Sequence, residues 1–115
     1  MPIINTNGPE ALRWLYSNNN ESPFASNHFG YNETIISFVE SLYEEGALVV
    51  TISNIYDEEE RIKNEGGPYA DTIYIHFPED EEKQDRLNLL IAKENPDELD
   101  VHEDYTGKYL RLWWD

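Results

Sequence analysis

The sequence predicts an α+β fold of the ferredoxin-like type, a split βαβ sandwich in which two helices cover one face of an antiparallel sheet and a short helix precedes them. The chain has 115 residues, which is the size of one domain with a single hydrophobic core. Segments with apolar residues three and four apart alternate with segments of strict two-residue alternation. They follow in the order helix, strand, strand, helix, strand, after a short helix and a short edge strand. Residues 1–115 are therefore expected to form a single α+β domain.

The first half of the chain predicts two helices separated by a loop. The first helix is expected to begin at Asn7-Gly8-Pro9, with the proline in its first turn, and to end in the polar run of residues 17–20. The second helix begins at Asn32, a favoured capping residue, and ends at Gly46. Between these two helices, residues 24–29 favour a short edge strand.

The second half predicts three strands and one helix. Residues 47–52 are mostly β-branched and apolar on both faces, which favours a central strand. Residues 71–77 and 109–114 alternate strictly between two faces. Between them, the acidic run of residues 79–82 suits the positive end of a helix, which Asn95-Pro96 ends. One core is expected to contain Leu48, Val50, Ile73, Ile75, Leu110 and Leu112 together with Phe38, Leu42, Leu87 and Leu90.

The charge of the chain is strongly negative and unevenly distributed. The net charge is −16, and residues 57–115 contain eighteen of the 24 acids but seven of the eight bases, so this half carries −11. Nucleic acids are repelled by such a surface, because phosphate binding depends on clustered Lys and Arg. Basic proteins are attracted to it. The alternative is that the acids only keep the protein soluble.

Several function classes lack the residues they require. The chain has no cysteine, which excludes disulfides and thiolate chemistry, and no serine lies in a G-x-S-x-G motif. The histidines His28, His76 and His102 lack the spacing of metal ligands, and no complete calcium loop or phosphate-binding loop is present. No catalytic residue, metal or cofactor is therefore predicted, and a non-enzymatic role is favoured. No apolar run approaches the roughly 18 residues of a membrane span, so we expect a soluble cytoplasmic protein.

The outward rows of two predicted strands are rich in aromatic side chains. They contain Thr72, Tyr74, His76, Tyr109, Arg111 and Trp113. Tyr, Trp and Arg are enriched at the energetic centres of protein interfaces, so this face predicts a partner. Two alternatives are that the N-terminal helix with Trp14 and Tyr16 covers the face, or that the protein dimerises through it.

The segment EGGPYADT, residues 65–72, predicts a sharp turn before a strand. Gly66-Gly67-Pro68 reverses the chain and is expected to bring Tyr69 and Asp71 to the end of a strand. The neighbouring acidic run of residues 57–60 would then surround the Tyr69 ring with carboxylates. If residues 57–63 are helical, Asp57 and Arg61 can pair. The alternative is a solvated acidic loop with local ion pairs. The predicted partner-binding residues are Asp57, Glu58, Glu65, Tyr69, Asp71, Tyr74, His76, Arg111, Trp113 and Asp115.

Three functional hypotheses follow from these patterns. The first is a small acidic binding protein that neutralises a basic partner, as immunity proteins, antitoxins and phage-encoded inhibitors do. The second is a ligand-sequestering protein or enzyme that uses the loop carboxylates. The third is a structural subunit that forms homo-oligomers through its aromatic sheet face.

Overall fold

The computed structural model describes residues 8–115, which form an α+β structure with a four-stranded antiparallel sheet and five helices. The elements are α1 (Ala11–Ser17), α2 (Ser26–Phe29), α3 (Asn32–Glu44), β1 (Val49–Tyr56), α4 (Glu59–Glu65), β2 (Tyr69–Phe77), α5 (Glu81–Glu94), β3 (Glu98–Asp104) and β4 (Gly107–Trp113). None of the helices in this part of the chain is long and apolar enough to cross a membrane.

The sheet has the strand order β1-β2-β4-β3, and every neighbouring pair is antiparallel. Strands β2 and β3 consequently run in the same direction, are connected through α5 and have β4 between them, which makes one split βαβ unit. The predicted ferredoxin-like arrangement is not confirmed. In the ferredoxin-like order βαββαβ, the edge position beside the first strand is taken by the last strand. Here that edge position belongs to β1, which comes first and follows α3, so the central position predicted for this strand is wrong.

The core lies between the sheet and the helices. Most of its buried members come from α1, α2, α3, α5 and the inner faces of β1, β2 and β4, and others, such as Phe24 and Trp114, flank these elements. Most of the predicted core is confirmed, but Leu48 is 57% exposed because it precedes β1 at the end of the sheet, and Leu90 is only partly buried. Trp114 follows β4 and packs edge-on against the rings of Phe24, Phe29 and Phe38.

The predicted edge strand at residues 24–29 is wrong. Backbone N–H and C=O groups of Ala70 bond to Pro23 and Ala25, but Phe24 makes only an isolated bridge. The chain then turns through Ala25, whose φ is 38°, into the short helix α2. This turn places Phe29 against Trp114, so the apolar residues of this segment fill the core without forming a strand.

Helix α1 is attached to α3 and to the edge of β1. Pro9 accepts a hydrogen bond from the backbone of Ile52 at 2.9 Å, and Glu10 caps α1 by accepting from two backbone N–H groups. The Tyr43 hydroxyl of α3 donates to Glu10 at 2.7 Å and accepts from the Val50 N–H at 3.0 Å. These bonds fix α1 on the helix side of the sheet. Residues 1–7, including Asn7 at the predicted start of the first helix, lie outside the described residues.

Candidate functional site

The four strands present a second face, opposite to the core, which we call the open face. None of its side chains belongs to the core cluster that the helices form with the sheet. Register places on it Val49, Thr51 and Ser53 of β1, Thr72, Tyr74 and His76 of β2, Tyr109, Arg111 and Trp113 of β4, and Glu98, Asp100 and His102 of β3. The alternative in which Trp14 and Tyr16 cover this face is not found, because Trp14 packs against the core and Tyr16 donates to Glu40 of α3.

The central row of the open face combines a hydroxyl, an aromatic ring and a network of charges. It runs from Thr51 through Tyr74 and Arg111 to Asp100. Arg111 bonds to Asp100 at 3.0 Å and to Glu98 at 3.1 Å. Partial burial lowers the pKa of Arg111, but the bonds to the two carboxylates raise it by more, so the net shift is upward. The single cation of this row is thus already engaged by acids of the same face.

The row beside it consists of aromatic and imidazole rings. His76 stacks on Tyr109 with ring centroids 4.3 Å apart and planes inclined by 15°. His102 lies opposite Tyr109 on β3. In the row on the other side, Trp113 lies between Thr72 of β2 and Glu98 of β3. The rings of this face are half-buried, and Thr51 and Thr72 are buried. The open face is therefore a partly exposed aromatic surface whose β3 border is acidic.

Asp71 occupies a different environment from the open face. It is 8% exposed, and its carboxylate accepts hydrogen bonds from Asn54 at 2.8 Å, Thr72 at 2.9 Å and Tyr56 at 3.3 Å. Asn54 reaches it from a left-handed backbone position in β1, with φ of 53°. Three donors satisfy this buried carboxylate, so its geometry is that of a structural group within the sheet.

Tyr69 lines a polar cleft of about 630 Å³ between the loop of residues 18–22 and α4. Its hydroxyl accepts from the Ser26 N–H at 3.1 Å, and its ring lies 5.5 Å from the Arg61 guanidinium, which also lies 5.5 Å from the Tyr56 ring. Arg61 forms ion pairs with Glu58 at 3.3 Å and Glu65 at 3.1 Å. The predicted pair with Asp57 is not formed, because α4 begins after that residue.

The turn Gly66-Gly67-Pro68 is held against the same loop. The Asn18 amide donates to the Pro68 carbonyl at 2.8 Å, and the Asn20 amide donates to the Gly67 carbonyl at 3.3 Å. Gly66 has φ of 89°, and a Cβ atom on Gly67 would lie 2.0 Å from the Asn18 side-chain oxygen. Both glycines are thus required by local geometry. The conformation of residues 66–68 is therefore a turn that depends on its glycines, and Tyr69, which follows the turn, lines the cleft.

Comparisons with protein-family models, with curated proteins and with solved structures found no match for this chain. A functional assignment therefore depends on the geometry of these surfaces.

The structure distributes the ten predicted partner-binding residues over four settings. Tyr74, His76, Arg111 and Trp113 share the open face. Glu58, Glu65 and Tyr69 surround Arg61 at the cleft. Asp71 is buried, whereas Asp57 and Asp115 are exposed, with the Asp115 N–H bonded to Asp97.

The contribution of β3 to the open face was not predicted from the sequence. Its sequence, ELDVHED, has four acids and only two apolar residues, so it lacks the β-branched and aromatic content of a typical strand. The signal that could have found it is the alternation of acids with Leu99 and Val101 over residues 98–101, which predicts one polar and one apolar face. The amides of Asn18 and Asn20 were also missed, because a polar run predicts a loop without indicating its contacts.

Proposed function

We propose that this protein is a small acidic binding protein that captures a basic protein partner through its open face. The observation that carries the proposal is the open face itself, on which Tyr74, Tyr109 and Trp113 lie together beside the acids of β3. Aromatic side chains bury large areas at small entropic cost, and carboxylates around them select Lys and Arg. An inhibitor or immunity protein that neutralises a basic enzyme fits this chemistry.

The charges support a basic partner over a second copy of the chain. Each copy carries a net charge of −16, so two copies repel one another. Arg111 could attract a second copy, but it is already paired with two acids of its own face. Glu98 and Asp100 remain more than half exposed in these pairs, with side-chain exposures of 57% and 54%, so they are accessible to a further cation.

The test is capture from a lysate of the native host with matched baits, quantified by mass spectrometry. The test bait carries Tyr74→Ala and Trp113→Ala, and the control bait carries Tyr31→Ala, an aromatic that is 65% exposed and lies outside the sheet. We expect one basic protein to be enriched by the wild-type and control baits and lost from the test bait. Equal capture by all three baits, or recovery of the protein itself alone, would overturn the proposal.

A second variant separates recognition from folding in the same experiment. Glu98→Gln with Asp100→Asn removes two exposed negative charges without removing apolar surface. The circular dichroism spectrum should stay native while capture of the basic protein decreases. Undiminished capture by this variant would show that the acidic border of the open face takes no part.

The polar cleft supports a second candidate function, the binding of a small polar ligand. Its lining provides amide groups from Asn19 and Asn64 beside the Tyr69 ring and Arg61. Amides, an aromatic ring and a guanidinium are groups that orient polar ligands. A thermal-shift screen of sugars and nucleosides tests this candidate. Stabilisation that Asn64→Ala abolishes would support it, and the absence of stabilisation by any compound would reject it.

A further inference from the structure

Strand β3 forms one edge of the sheet, and no described residue pairs with its outer side. Its only neighbour in residues 8–115 is β4. The opposite edge is different, because Pro9 and Glu10 lie along β1 there. An edge strand carries unpaired backbone N–H and C=O groups, which can bond to an added strand. The backbone of β3 is therefore available to a partner in extended conformation.

The helix layer ends before it reaches β3. Leu110 and Leu112 of β4 are fully buried beneath the helices, but Val101 and Leu99, which lie directly opposite them on β3, are 54% and 45% exposed. Two apolar side chains on the inner side of an edge strand are thus about half exposed to water. An added strand would cover them with its own side chains on that face.

The two faces of β3 differ in chemistry. Glu98 and Asp100 point to the open face, whereas Leu99 and Val101 point to the helix side. Successive residues of an added strand also point to alternate faces. Its residues beside the two acids should therefore be basic, and those beside the leucine and valine should be apolar.

We infer that β3 is a docking edge for an extended segment of the basic partner, a segment in which Lys or Arg alternates with apolar residues. The inference rests on the proposed function, since it assigns to that partner a strand that extends the sheet at the border of the open face. A second copy of β3 is a poor occupant, because the strand has four acids in seven residues and like charges opposite one another destabilise a strand pair.

The probe for this inference is a short synthetic peptide in which lysine and valine alternate. The control peptide has the same composition with its lysines and valines in separate blocks. Binding is measured by fluorescence anisotropy, and amide exchange of β3 by NMR. We expect the alternating peptide to bind more tightly than the control and to slow the exchange of outward-facing β3 amides. Equal binding of the two peptides with unchanged β3 exchange would overturn the inference.

Two charge-matched variants of the protein identify the edge. Leu99→Lys with Val101→Lys changes the docking edge, and Leu89→Lys with Ile62→Lys makes the same charge change at exposed positions on α5 and α4. Both variants lose the same amount of charge attraction, but only the edge variant also loses two apolar cross-strand contacts. We therefore expect the edge variant to bind the alternating peptide about tenfold more weakly than the control variant. Equal weakening in both variants would show only general charge attraction and would overturn the inference.

Failure here and failure of the proposed function are distinguishable. The peptide experiments do not use the host partner, so a negative result does not affect the proposal that the partner is captured through Tyr74 and Trp113. Loss of partner capture by the Leu99→Lys and Val101→Lys variant, with capture retained by the Leu89→Lys and Ile62→Lys variant, would join the two surfaces into one interface. Retained capture by both variants would restrict the interface to the open face and overturn the docking edge.

Discussion

At the scale of single residues, the Tyr43 hydroxyl connects three parts of the molecule, because it donates to Glu10 and accepts from Val50. Tyr43→Phe should lower the free energy of unfolding by about 1 kcal/mol at pH 7, since it leaves the Val50 N–H without this acceptor. Chemical denaturation measures the change. An unfolding free energy equal to that of the wild type would contradict the role assigned to this hydroxyl.

The same hydroxyl predicts a dependence on alkaline pH. Burial and the bond to Glu10 raise the pKa of Tyr43 from 10.0 to about 12. A raised pKa contributes stability that is present below pH 10 and is lost as the pH rises through about 12. The wild type should lose this contribution over that window, and Tyr43→Phe should not. The stability difference between the two should therefore narrow, and a constant difference would contradict this account.

The buried carboxylate of Asp71 makes a further prediction at this scale. Asp71→Asn should destabilise the fold by about 1–3 kcal/mol, because an amide nitrogen would face donors where a carboxylate oxygen now accepts. The matched control is Asp57→Asn, at an exposed position. The melting temperature of Asp71→Asn should be lower than that of Asp57→Asn. Equal melting temperatures would contradict a stabilising role for the hydrogen bonds that the Asp71 carboxylate accepts.

At the scale of elements, β4 is central, since it pairs with β2 on one side and β3 on the other. Leu112→Ala should cost about 2–5 kcal/mol, because it removes buried methyl groups and leaves a cavity. Leu99→Ala, on the residue directly opposite in β3, is the control and should cost much less because Leu99 is half exposed. Similar losses of unfolding free energy in the two variants would contradict the conclusion that the helix layer covers β4 but ends before β3.

Elements with regular apolar spacing were predictable from the sequence, and those shaped by contacts between distant segments were not. The stripe of Ile35, Phe38 and Leu42 predicted α3, and the alternation of Ile73, Ile75 and Phe77 predicted β2. The segment at residues 24–29 is apolar because it fills the space around Trp114, and local pattern does not distinguish this from a strand. The residues of β3 have low strand propensity, and the strand forms because it pairs with β4. Its own sequence therefore gives little indication of a strand.

The candidate site was predictable only in part, for a related reason. Alternation in two strands correctly placed Tyr74, His76, Arg111 and Trp113 on one face. Asp71, at the start of the same predicted strand, was expected to bind a partner, but a left-handed residue, Asn54, brings an amide to its carboxylate. Backbone conformation of that kind has no periodic pattern, so the sequence predicted a surface residue where the structure has a buried one.

At the scale of the whole molecule, the net charge of −16 predicts how a basic partner approaches. Exposed charges are screened over about 8 Å at physiological salt, so long-range attraction weakens as salt is added. The association rate with the captured protein should fall steeply with rising ionic strength, while the dissociation rate changes less. Stopped-flow kinetics measure both rates. An association rate independent of salt would show that the acidity serves solubility alone.

The most direct test of recognition through the open face is hydroxyl-radical footprinting of the protein with and without its captured partner. Aromatic side chains react readily with the radical, so oxidation reports their exposure. We predict that the partner protects Tyr74, Tyr109 and Trp113, whereas Tyr16 and Tyr31, each 65% exposed and outside the sheet, keep their reactivity. Protection of Tyr16 and Tyr31 with unchanged oxidation of the three open-face rings would contradict the account.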